Sequence, residues 1–120
     1  MNNLEKINLN HVKNISKYAI SMCPKLNSIN FGDSLMILEE SALHEASLLN
    51  GCNFPPTLQY IGKECFQSSN VTSIIINSDN IVLESFSFHN LANLKSVEFK
   101  GKTADIKHVA FVSSNLEIIK

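Results

Sequence analysis

The stretch Leu58–Ile76, LQYIGKECFQSSNVTSIII, is repeated in degenerate form along the whole chain. The position of Ile61 is filled by Ile15, Leu38, Ile61, Leu83 and Ile106, so the steps are 23, 23, 22 and 23 residues. A period this regular constrains the fold more than any composition can. One unit of that length cannot bury its own apolar face, and stacking copies into a solenoid gives each unit a neighbour to pack on.

Unit one carries Val12, Ile15, Ala19, Ile20, Leu26, Ile29 and Phe31, and unit two repeats those columns at Leu35, Leu38, Ala42, Leu43, Leu49, Cys52 and Phe54. Unit three gives Leu58, Ile61, Cys65, Phe66, Val71, Ile74 and Ile76. Unit four gives Leu83, Ser87, Phe88, Leu94, Val97 and Phe99, and unit five Ile106, Ala110, Phe111, Leu116 and Ile119. Leu4, Ile7 and Leu9 match the second half of a unit. A single domain over residues 1–120 is expected, with a half repeat at 1–9 and units starting near 12, 35, 58, 80 and 103. Asn80 and Thr103 break the first apolar column, and Ile81 and Ala104 are expected to substitute for it one residue later.

Pairs such as Ile29/Phe31, Cys52/Phe54, Ile74/Ile76 and Val97/Phe99 lie two apart, which points both side chains to one face of a strand. Turn residues follow each pair: Gly32-Asp33-Ser34, Pro55-Pro56-Thr57, Asn77-Ser78-Asp79-Asn80 and Gly101-Lys102. The i, i+4, i+5 set Ile61/Cys65/Phe66 predicts short helical or 3-10 segments on the opposite side. Small residues at Ala19, Ala42, Cys65, Ser87 and Ala110 let neighbouring units approach closely; a buried Ser87 would need a hydrogen-bond partner. The expected fold class is therefore an α/β solenoid of about five repeats, with short strands on one side and turns and short helical or 3-10 segments on the other.

These residues resemble the BspA-like (Treponema-type) leucine-rich repeat family. The unit of that family closes on an Ile-Pro strand end, runs through Val-x-x-Ile-Gly, and places an Ala-Phe pair before a Leu-x-x-Ile strand. The corresponding residues here are Pro55, Ile61-Gly62, Cys65-Phe66, Ser87-Phe88, Ala110-Phe111 and the LKSVEF of residues 94–99. Units four and five lack the Ile-Gly pair. The resemblance implies a right-handed solenoid with a short parallel sheet on its concave side. It also implies a protein-binding or adhesion module without catalytic residues.

Charge and cysteine usage bear on function. The ten basic residues are all Lys, against 11 acids, and neither half of the chain is basic. Nucleic acid is not an expected partner, because a duplex binder needs a basic face and bidentate readers need Arg. The first residues show no signal-peptide pattern, and no apolar run reaches membrane-spanning length, so the expectation is a cytoplasmic chain with no membrane partner. Cys23, Cys52 and Cys65 form no C-x-x-C pair, and each is expected to be a small buried hydrophobe. His11, His44, His89 and His108 fall at different phases of the repeat, so no metal or cofactor is expected. A nucleophilic Cys65 served by His44 or His89 would face the packed column, so the chain is not expected to be an enzyme.

The candidate protein-binding column is the outward residue of each strand: Asn8, Asn30, Asn53, Ile75 and Glu98, with Lys100 beside it. The flanking positions are Lys6, Ser28, Gly51, Ser73 and Ser96 on one side, and Asn10, Gly32, Pro55 and Asn77 on the other. The expected function is non-enzymatic protein–protein interaction, as a small stoichiometric inhibitor or adaptor such as a phage or mobile-element product that blocks a host protein. A fragment of a secreted or surface leucine-rich-repeat adhesin is the second reading. Bare terminal units, with Leu116, Ile118 and Ile119 at one edge, also suggest a homodimer through uncapped ends.

Overall fold

The computed structural model describes residues 3–21, 23–46, 49–89, 91–107 and 110–111, and the backbone of 118–119. Eleven short strands lie in these segments: β1 (Lys6–Asn8), β2 (Asn14–Ile15), β3 (Ser28–Asn30), β4 (Ile37–Leu38), β5 (Gly51–Phe54), β6 (Tyr60–Ile61), β7 (Ser73–Ile76), β8 (Asn80–Leu83), β9 (Ser96–Phe99), β10 (Thr103–Ile106) and β11 (Ile118–Ile119). Every pairing is parallel and joins one unit to the next, so the chain winds as a β-solenoid of about four turns.

Two faces result. The even-numbered strands form one continuous ladder in the order β10-β8-β6-β4-β2. The odd-numbered strands form two ladders, β1-β3 and β11-β9-β7-β5, with no pairing between β3 and β5 among the described residues. Each sheet turns one side inward and one to solvent, so the burial alternates, as in Gly51–Phe54 and Asn80–Leu83.

Between the sheets lies one core. Leu38, Ile61 and Leu83 come from the even strands, Cys52, Phe54, Ile74, Ile76 and Val97 from the odd ones, and all are buried. An aromatic file runs along the solenoid axis. Phe66 stacks on Phe88 at 5.5 Å and Phe88 on Phe111 at 5.0 Å, while Phe54 joins Phe66 to Phe31 at 6.0 and 4.7 Å. Ring contacts at these separations add to the area they bury.

The expected helical or 3-10 segments are absent from the described residues, and the side meant to hold them carries the even-numbered sheet instead. At the arches after β2, β4, β6 and β8, the residue before the small column adopts left-handed backbone: Tyr18, Ser41, Glu64 and Phe86, with φ between 53° and 61°. A left-handed residue interrupts a right-handed helix. The hydrogen bonds show the alternative. Along residues 41–46 the amides alternate between their own arch and the next unit: Ser41 donates to Lys63, Ala42 to Glu39, Leu43 to Cys65, His44 to Ser41, and Glu45 to Gln67. The apolar spacing at Ile61/Cys65/Phe66 thus fits an arch that bonds sideways as well as a helix that bonds along itself.

Other columns behave unevenly. Ile81 is 2% exposed and takes over the inward position beside an exposed Asn80, as expected, but Ala104 is exposed. Ile106, on the edge strand β10, is 44% exposed, and Ala19 is also exposed. Ser87 is fully buried and its hydroxyl has no partner among the described residues, so the small column accepts its size but not its polarity. Gly62 sits where a Cβ would come within 2.8 Å of the Glu39 carbonyl carbon and the Glu40 nitrogen, so the Ile-Gly pair reflects close backbone approach between units two and three.

Candidate functional site

The proposed column lies on the odd-numbered face, and all six residues are at least partly exposed. The structure brings them together in two groups. Asn53, Ile75 and Glu98 are direct neighbours across β5, β7 and β9, and Asn8 is paired with Asn30 across β1 and β3. The column is interrupted between Asn30 and Asn53.

A proline stands at the end of the strand that borders the interruption. At the end of β9, the Lys100 amide donates to the Ile76 carbonyl at 2.9 Å, closing the ladder there. Pro55 occupies the matching position after β5 and has no N–H to give to Phe31. The entry bond is missing as well: Asn27 donates to Glu5, Thr72 to Asn50 and Lys95 to Thr72, but no described bond runs from Asn50 to Asn27. Over this seam lies an open groove of about 660 Å³, with Asn30, Asp33, Asn53, Ser73, Ile75 and Asn77 along it.

The asparagines do not form a side-chain ladder through the column. The Asn8 and Asn30 side-chain carbonyls accept from the amides of Asn10 and Gly32, at 3.2 and 2.9 Å, and so close their own turns. Asn53 is held from the flank: the Asn77 amide group donates to Asn53 Oδ1 at 2.8 Å and to the Phe54 carbonyl at 2.7 Å. Glu98 on β9 and Lys100 just after it lie 4.0 Å apart. Pro55, expected to flank the column as an exposed residue, is buried. Ile75 is left as the half-buried apolar residue of an otherwise polar face.

Sequence reasoning missed the opposite face. The outward residues of the even-numbered strands are in register as Asn14, Ile37, Tyr60, Val82 and Asp105. Three successive entries are apolar or aromatic and half-buried. The Tyr60 hydroxyl donates to Glu84 Oε2 at 3.0 Å, which fixes the ring. Partial burial and the neighbouring Glu84 and Glu40 carboxylates raise the ionisation of Tyr60 above its ordinary value of 10.0. The signal was available one residue before each Ile61-type position, but it could be recognised only by treating that position as strand.

The cysteines are free and buried. Burial pushes the Cys65 thiol up to about 12 and raises Cys52 as well, so neither offers a thiolate near neutral pH. His44 faces Glu45 at 3.9 Å and the edge of Tyr18, and His89 lies against Phe86. His108 and Leu116 lie outside the described residues.

Stacked parallel strands in two facing sheets, with one unit per turn, define a repeat solenoid of the leucine-rich class. The chain belongs to the BspA type leucine rich repeat family, whose model matches residues 1–120 in 6 copies. That family is typically a non-enzymatic binding module, so membership suggests a protein-interaction or adhesin-like role. No curated protein and no solved structure is significantly similar to the chain. Among the described residues, no helix is long and apolar enough to cross a membrane.

Proposed function

We propose that the protein is a non-enzymatic interaction module that binds another protein through its odd-numbered face. The observation that carries this reading is the register of Asn53, Ile75 and Glu98 across three paired strands. It sets one apolar anchor between an amide and a carboxylate on an open sheet. Asn8, Asn30 and Lys100 extend the surface on either side. An apolar residue ringed by polar ones is a common form for a small docking centre. Free, buried cysteines fit a reducing compartment.

The test is capture of a partner on immobilised wild-type protein beside an Ile75→Glu, Glu98→Lys double variant. One stoichiometric partner, held by the wild type and lost by the variant, supports the odd-numbered face. A partner retained equally by both overturns this placement. A doubled solution mass with no partner would instead support self-association through the end units.

A further inference from the structure

We propose that the even-numbered face carries a second docking surface, built on Ile37, Tyr60 and Val82, for an extended protein segment with an apolar side chain flanked by Lys or Arg. The three residues stand on adjacent paired strands, outward and half-buried. Strands in a ladder are about 4.8 Å apart, so the stripe spans roughly 10 Å, enough for one or two side chains of an extended segment. They lie in a groove of about 770 Å³, rimmed by Pro56, Asp79 and Asp105.

The rim charge selects the occupant. Both charged residues lining the groove are acidic, and no lysine lines it. Asp105 is already bound by Lys107 Nζ at 3.0 Å. Asp79 and the neighbouring Glu39 have no ion pair among the described residues, and Glu84 shares the field of Lys107 without pairing to it. The Glu84 carboxylate also orients Tyr60, so the same group that fixes the aromatic wall contributes negative potential. A partner that offers a cation next to an aliphatic or aromatic side chain matches both features at once.

This surface is independent of the odd-numbered face, and its test separates the two. Two synthetic peptides of equal length, Leu-Ser-Leu flanked by lysines and the same core flanked by glutamates, are titrated into isotope-labelled protein and followed by amide chemical shifts. The expected result is movement at Ile37, Tyr60 and Val82 with the lysine peptide, and affinity at least about tenfold weaker with the glutamate peptide. Added salt should narrow that gap. Val82→Asp should abolish binding. Asp79→Lys, at an exposed position that leaves the core intact, should weaken the lysine peptide and favour the glutamate one, while Ile75→Glu should change neither. Equal affinity for both peptides, shifts confined to Asn53–Ile76, or no shifts with either peptide would overturn the proposal.

Discussion

The two faces of this solenoid are built from the same repeat yet differ in continuity and chemistry. The even-numbered ladder crosses all five units without a break, and its outward stripe is apolar at the centre. The odd-numbered ladder is divided between units one and two, and its outward column is mostly amide and charge. A repeat therefore fixes where strands fall without fixing that every neighbouring pair bonds. Pro55, which has no N–H to donate, stands beside the one gap among the described strands.

Removing core from the continuous side should have the largest effect. Ile61 is fully buried under β6, and Ile61→Ala is expected to cost about 2–5 kcal/mol. Ile29 is half-buried beside the seam, and Ile29→Ala should cost clearly less. Urea melts of the two variants check this, and equal losses would show that the seam does not weaken its surroundings.

Next in size is Gly62→Ala. Its new Cβ meets backbone atoms of Glu39 and Glu40, which cannot rotate away, and the expected cost is about 1–3 kcal/mol. Unchanged stability would mean that the even-numbered ladder spreads as readily as the odd one.

Pro55→Ala sharpens the comparison from the other side. It restores a donor opposite Phe31, worth about 0.5–1.5 kcal/mol, and gives back unfolded-state freedom of about 0.4–1 kcal/mol. The net change should fall below about 1 kcal/mol. Hydrogen exchange is the decisive measurement: a protected amide at residue 55 means that the proline holds the seam open, and rapid exchange there means it does not.

The smallest effect concerns pH. Tyr60 ionises above 10.0 in the folded chain, so its contribution is fully present below that pH and is lost as pH rises through the higher folded value. Glu84→Gln removes the neighbouring charge and should bring the Tyr60 ultraviolet titration back towards 10. A titration that does not move would assign the shift to burial and the Glu40 charge.

Much of the architecture was legible because apolar columns repeat at a fixed step, and the step alone implies stacking. The inward residues Ile61, Phe66, Ile74 and Ile76 could be named from spacing and are buried. The second sheet was not legible. Two-residue strands such as Ile37–Leu38 are too short to show alternation, and the arches rest on left-handed Ser41, Glu64 and Phe86, none of which is the glycine or asparagine that signals such backbone. The odd-numbered column could be listed from sequence, but its break could not. At that break Pro55 offers no amide and Asn50 makes no described bond to Asn27, and neither shows in a pattern of apolar residues.

The divided ladder also has a mechanical meaning. Where units two and three meet, two strand ladders and an arch resist separation, all loaded side by side. Among the described residues, one strand ladder and the arch bond from Ile20 to Ala42 join units one and two, with the Phe31–Phe54 contact between them. Under tension along the solenoid axis, that junction is expected to part before its neighbour between units two and three.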